Sequence, residues 1–267
     1  MTRKLVWGWV VAASVAGVAL AQPPIPKASD PTPPKAEPPA ATPNAVQTAD
    51  PLGALLADGK AAYAKVRDYT CTFTRQERVN GVLPPEQVAE MKVRVQPASV
   101  YVRFARPEAV AGLEVCYVST RVDGKLRWRP AGPKGANGFQ TLSPDDSKVR
   151  ADFHRPVAEL GIGPIFELLS GIAAREKVLN NPVEVFTSEY QFAGRNVTRY
   201  EIFTRRPHAH RYAYRMLVYV DKESKLPVRL EAYDAPKPGL SAGDLLEAYS
   251  YSDIKLNVGL GDSAFNY

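Results

Sequence analysis

The stretch from Arg211 to Val258 most constrains how this chain can fold, because it reads as three consecutive strands. Tyr212, Tyr214, Met216, Val218 and Val220 alternate with Ala213, Arg215, Leu217 and Tyr219. After a polar turn at Asp221 to Lys225, Leu226, Val228, Leu230 and Ala232 alternate with Pro227, Arg229, Glu231 and Tyr233. Beyond a Pro/Gly-rich loop, Leu246, Ala248, Ile254, Leu256 and Val258 share one parity, while Glu247, Tyr249, Tyr251, Asp253, Lys255 and Asn257 hold the other. A period of two sends alternate side chains to opposite faces of a sheet. The reading is an antiparallel sheet with one apolar face and one face of charge and tyrosine. On this reading Met216, Leu230 and Leu256 are buried together.

Upstream elements fit around that sheet. Asp50-Pro51 opens a helix, since Asp caps and Pro suits the first turn. Leu52, Leu55, Leu56, Tyr63 and Val66 then recur at helical spacing. Strands are predicted at Tyr69 to Phe73, Val88 to Val95, Val100 to Phe104, Leu113 to Val118 and Leu126 to Arg129, with turns at Asn80-Gly81 and Asp123-Gly124. Ala131 to Arg155 reads as a long irregular loop, a class often functional or mobile. A second helix starts at Pro164 with the stripe Ile165, Leu168, Leu169, Ile172 and Leu179, and Asn180-Asn181-Pro182 stops it. Strands resume at Val183 to Tyr190 and Val197 to Thr204. The order of helix, about five strands, helix and about five strands gives an α+β fold. It is a curled antiparallel sheet, an incomplete β-barrel, with helices covering the concave face.

The N-terminal part has a different character. Residues 1–21 carry a basic start (Arg3, Lys4), an apolar run and Ala19-Leu20-Ala21, the pattern of a secretory signal cut before Gln22. An uncleaved anchor is the alternative, although the run is short for a span. Residues 22–51 form a disordered linker with ten prolines and few large apolar side chains. Residues 52–267 are then one domain with ample chain for a core. The expected location is periplasmic or secreted, with no transmembrane span in the mature chain. Net charge is +6, and losing Arg3 and Lys4 leaves +4. A mildly basic exported domain without an aromatic-basic motif is a poor nucleic-acid binder. An anionic lipid, a cell-wall polymer or an envelope protein suits it better as a partner.

In this order the residues resemble the lipoprotein-carrier (LolA-like) superfamily. The run YTCTFTRQ from Tyr69 to Gln76 is similar to the carriers' opening strand, and Val95-Gln96-Pro97 to their strand corner. Asp123 to Trp128 (DGKLRW) resembles their DGKxLW turn, and Gly163 to Leu169 (GPIFELL) their lid-helix start. Val220-Asp221, Leu226-Pro227-Val228 and Asp262 to Phe265 complete the match. The closest resemblance is to an uncharacterised domain-of-unknown-function family, number 1571, of exported bacterial proteins. The resemblance implies a half-barrel with helices as a lid and an acyl-sized cavity. The carriers place a lid-latching Arg before the corner Pro, where this chain has Gln96.

The cavity wall implied by that fold is Met91, Val93, Val102, Phe104, Trp128, Tyr214, Met216, Val228 and Leu230. Taken as apolar strand residues alone, the same nine read first as plain core. Gly239-Leu240-Ser241-Ala242-Gly243 matches G-x-S-x-G, but a nucleophile elbow needs a following helix and a later His. Both flanks read as strands and no His follows His210, so a hairpin loop is the reading. His208 and His210 sit among Arg205, Arg206 and Arg211, which opposes a metal cation and leaves a solvated or anion-binding tip. His154 reads as structural. Asn196-Val197-Thr198 matches a glycosylation acceptor inside a strand. Cys71 and Cys116 are either a disulfide or, more simply, two buried thiols. The expectation is a non-enzymatic protein, without metal or cofactor, that binds an apolar or lipid-like ligand as a carrier or sensor in the cell envelope. The alternative is an envelope interaction module with a fully packed core.

Overall fold

A computed structural model describes residues 50–265 apart from Asn80 and His154. The expected signal, nearly all of the linker, and the readings at Asn80 and His154 lie outside the described residues. Asp50 accepts the N–H of Gly53 at 2.8 Å and opens α1 (Pro51–Tyr63). Six strands follow: β1 (Asp68–Glu77), β2 (Gln87–Arg94), β3 (Ser99–Arg106), β4 (Glu114–Val118), β5 (Leu126–Arg129) and β6 (Gln140–Leu142). Two helices come next, α2 (Ser147–Asp152) and α3 (Gly163–Val178). The chain then forms β7 (Glu184–Phe192), β8 (Arg195–Phe203), β9 (Arg215–Asp221), β10 (Pro227–Tyr233) and β11 (Leu245–Leu256).

All eleven strands form one antiparallel sheet in the order 6-5-4-3-2-1-11-10-9-8-7. The first and last long strands pair at its centre, while β6 and β7 are unpaired edges, so the sheet is open rather than a closed barrel. The main apolar cluster joins its inner face to the helices. Met91, Val102, Phe104 and Leu230 from strands meet Leu55 of α1 and Ile165, Leu169 and Ile172 of α3. Two smaller clusters lie apart from it: Tyr101, Cys116 and Val118 under Phe265, and Val197, Leu217, Tyr219 and Val228.

The expected α+β architecture stands, with local corrections. The segment 131–155 is not a plain loop. It contains edge strand β6 and helix α2, and its Val149 and Phe153 are each 1% exposed within the main core. Leu179 is exposed beyond α3. Strand β9 begins at Arg215, so Tyr212 and Tyr214 precede it.

In β11 the expected faces are reversed over the first half. Tyr249 and Tyr251 enter the main core beside Phe73, whereas Leu256 and Val258 are exposed. The register slips between Thr70 and Thr72 of β1, opposite Asp253 with φ of 52°. A bulge adds one residue to one strand and so exchanges its faces. Its trace in the sequence is the pair Ser250 and Ser252, which fall in the otherwise apolar row of Leu246, Ala248, Ile254 and Leu256.

Cys71 belongs to the main core and Cys116 to a smaller cluster, and both are buried free thiols.

Candidate ligand-binding site

The inner face is filled by helical side chains, and what positions them is a set of buried polar contacts. Tyr69 of β1 and Tyr251 of β11 are both buried in the main core. The Tyr69 hydroxyl accepts the N–H of Ile162 at 2.8 Å, and the Tyr251 hydroxyl donates to the carbonyl of Leu160 at 2.8 Å. The approach to α3 is thereby pinned to the centre of the sheet. Burial raises both phenols above their usual range, so they remain neutral donors and acceptors. Gly161 lies between them, and a Cβ there would stand 2.8 Å from the Tyr69 hydroxyl. Gly163 is packed against the Tyr63 ring of α1 in the same way.

A second anchor holds the C-terminal end of α2. Arg75 of β1 is 3% exposed, with its guanidinium 4.5 Å from the Phe104 ring centre and 4.4 Å from that of Phe153. It donates to the Asp152 carbonyl at 2.6 Å and to Gln87 Oε1 at 2.8 Å, and lies 3.7 Å from Glu77. Trp128 Nε1 donates to the Asp152 carboxylate at 2.8 Å. Burial pulls the Arg75 pKa down, opposed by the nearby acidic groups. Burial likewise holds the Asp152 carboxyl above its usual range, with the Trp128 hydrogen bond and Arg75 working against it. Gln96 is exposed at its corner, whereas Arg75 is a buried arginine that pattern reading passed over. Its only sequence signal is a charge on the apolar parity of β1, in step with Tyr69, Cys71 and Phe73.

A third cluster adjoins the second. Arg155 is 8% exposed, donates to the Tyr212 hydroxyl at 2.6 Å and lies 3.3 Å from buried Glu247. Tyr249 hydrogen-bonds Glu77 and reaches Glu247 at 3.2 Å. Two carboxylates and two guanidiniums are thus buried together, as low dielectric requires of charges that stay ionised.

Two concavities open around these anchors. The larger, about 670 Å³, lies between α1 and α3. Tyr63, Pro164, Phe166 and Leu168 supply its apolar lining, with Lys60, Arg155, Glu159 and Glu167 at its polar borders. Lys60 and Glu167 pair across it at 3.2 Å, both well exposed. The second, about 390 Å³, is lined by Arg78, Arg175, His210, Arg211, Tyr212 and Glu247.

Of the nine residues expected to wall a cavity, Met91, Val93, Val102, Phe104, Trp128, Met216 and Leu230 come together in the main core beneath the helices. The other two do not join them. Val228 is the extra residue of a bulge in β10 and packs with Val197, Leu217 and Tyr219. Tyr214 packs edge-on to Phe203 and accepts a hydrogen bond from Arg205 at 2.9 Å. Ser241 lies in the exposed connection between β10 and β11, with no helix after it. His208 contacts the buried Glu176 of α3 at 2.8 Å, so the basic hairpin tip is docked on the helix rather than simply solvated. Among the described residues no group of three or more His, Cys, Asp or Glu is placed to hold a metal. None of the described helices is long and apolar enough to cross a membrane.

A family model described as "Protein of unknown function (DUF1571)" matches residues 66–267. The chain belongs to that family. The DUF1571 match covers every strand of the sheet and leaves only α1 of the described elements ahead of it. A search of curated proteins finds no match. Among solved structures the DUF1571 chain is similar to the lipoprotein LppX of Mycobacterium tuberculosis, at 14% identity and a TM-score of 0.47, over 80% of this chain and 99% of that one. An uncharacterized conserved protein from Thermus thermophilus aligns at 10% identity and a TM-score of 0.46, over 80% and 93%. A LolA superfamily protein from Nitrosomonas europaea aligns at 12% identity and a TM-score of 0.32, over 81% and 97%.

Proposed function

We propose that this chain is an exported, non-enzymatic protein that takes an apolar or lipid-like ligand under its helices, as a carrier or sensor in the cell envelope. Residues 1–21 would direct export and be removed, residues 22–51 would tether, and residues 52–267 would bind. The observation that carries the reading is the cleft of about 670 Å³ between α1 and α3, apolar along Tyr63, Pro164, Phe166 and Leu168. Ligand sites are concave and mostly apolar with a few placed polar groups, and this volume lies within their usual range. The ligand would enter there and reach the inner-face residues Met91, Val102, Phe104 and Leu230 as α3 lifts.

Lifting has a cost that a ligand must meet. Ile165, Leu169 and Ile172 are all but fully buried, and apolar burial contributes roughly 25 cal/mol per Å². Exposing a few hundred Å² therefore costs several kcal/mol unless acyl surface replaces the helix. A second reading is favoured by the same filled core, in which the helices never leave and the outer surface serves an envelope partner. Mass spectrometry of organic extracts from protein purified without detergent separates the two. Stoichiometric lipid supports the first reading, and lipid-free protein that also rejects added fluorescent fatty acid supports the second.

A further inference from the structure

We infer that the recess between the β8–β9 connection, the end of β1 and α3 is an anion site that takes a phosphate monoester. It is separate from the apolar cleft and does not depend on how that cleft is used. Arg78, Arg175 and Arg211 line it together with His210, Tyr212 and the apolar Ala232 and Leu246. Arg78 and Arg175 are held by backbone carbonyls. Arg78 donates to the carbonyls of Leu245 and Gly81, both at 2.8 Å, and Arg175 donates to the carbonyl of His210 at 2.7 Å. Neither has a carboxylate within ion-pair distance among the described residues. Arg211 donates to the Arg205 carbonyl at 3.3 Å and lies 3.6 Å from Asp234, which is 61% exposed. Carbonyls fix the guanidiniums in place without neutralising them, and each guanidinium has five N–H groups to share.

The one carboxylate of the recess is already committed. Glu247 is 3.3 Å from buried Arg155 and hydrogen-bonded by Tyr212 and Tyr249. Its charge is balanced from the protein side, which leaves the recess positive. Arg205 of the same hairpin, by contrast, is matched by Glu184 at 2.8 Å.

Three guanidiniums suit a group with three acceptor oxygens and close to two charges, whereas a carboxylate is satisfied by a single fork. The volume of about 390 Å³ holds a phosphorylated small molecule or one headgroup rather than a polymer segment. The monoester headgroup of phosphatidic acid and a soluble phosphate monoester share this chemistry.

The test is calorimetric titration of the full mature chain with glycerol 1-phosphate and with acetate, followed by co-sedimentation with phosphatidylcholine vesicles with and without phosphatidic acid. Saturable binding of glycerol phosphate, tighter than acetate and weakened by salt, is expected. Arg175→Gln and Arg211→Gln should each weaken it about tenfold, and exposed Lys134→Gln should leave it unchanged. Added sedimentation only when phosphatidic acid is present assigns the source to a lipid headgroup. Binding of the soluble ester without vesicles assigns it to a free phosphate. Because the variants could loosen the hairpin, the arginine Nε–Hε resonances of the unaltered protein are followed as well, and those of Arg175 and Arg211 should shift on saturation. Absence of saturable binding, equal affinity for acetate, or equal loss in Lys134→Gln would overturn the assignment.

Discussion

At the scale of residues, two hydroxyls and one guanidinium hold the helices to the sheet. Tyr69→Phe leaves the buried N–H of Ile162 without its partner. The expected loss is about 1–3 kcal/mol in chemical denaturation, with faster hydrogen exchange at Ile162 as the local signature. An unchanged exchange rate would mean that this hydrogen bond does not hold the approach to α3. Asp152 gives a pH dependence of definite sign. Its folded pKa is raised, chiefly by burial. Between the ordinary aspartate value of about 3.9 and that raised value the folded state holds more protons than the unfolded chain, so stability falls as pH rises. Asp152→Asn keeps an acceptor for Trp128 and removes the titration. Relative to the parent, its stability should therefore improve from acid to neutral pH, and a difference flat across that window would refute the burial account. The pins were not legible in the sequence. A tyrosine on an apolar parity looks the same whether its hydroxyl meets water or the backbone of a distant helix. Arg75 showed only as a charge on the apolar parity of β1.

At the scale of elements, alternation located ten of the eleven strands, all but β6, and helical spacing located α1 and α3, because both signals arise from neighbours in sequence. The first half of β11 was misread because a bulge near Asp253 exchanges its faces, and a bulge depends on the partner strand. In β10 the bulge displaces Val228 alone, while Leu226, Leu230 and Ala232 keep the expected face. Helix α2 was hidden in polar sequence because six residues hold only a single fully buried one, Val149. The glycine at 161 is an element-scale feature, since it lets α3 approach the sheet. Gly161→Ala sets a Cβ 2.8 Å from the Tyr69 hydroxyl, and overpacking of this kind costs about 1–3 kcal/mol. The melting temperature should fall while uptake of an apolar dye rises, because the helix is pushed from its seat. A fall in stability without increased dye uptake would make the glycine a packing requirement alone.

At the scale of the whole molecule, the binding domain should stand without its N-terminal segment. A chain starting at Asp50 keeps the cap of α1 and all eleven strands, and should melt cooperatively at the same temperature as the chain from Gln22. A broad or absent transition would show that residues 22–49 contribute to the fold. The architecture was legible because an open antiparallel sheet with short turns leaves its period in the sequence. The ligand site was legible only as an inner face. Whether helices or ligand fill that face is decided by tertiary packing, which periodicity does not carry.

The central claim is that a ligand gains access when α3 separates from α1. Lys60→Cys with Glu167→Cys places thiols on either side of the cleft, where the native side chains meet at 3.2 Å. Burial raises the native Cys71 thiol far above its usual range and Cys116 to about 11, so both stay protonated and unreactive. A bis-maleimide with an internal disulfide then bridges the helices, and reductant releases them. The account predicts no uptake of a fluorescent fatty acid by the bridged protein and saturable uptake after reduction. Equal uptake in both states, or none in either, would contradict it.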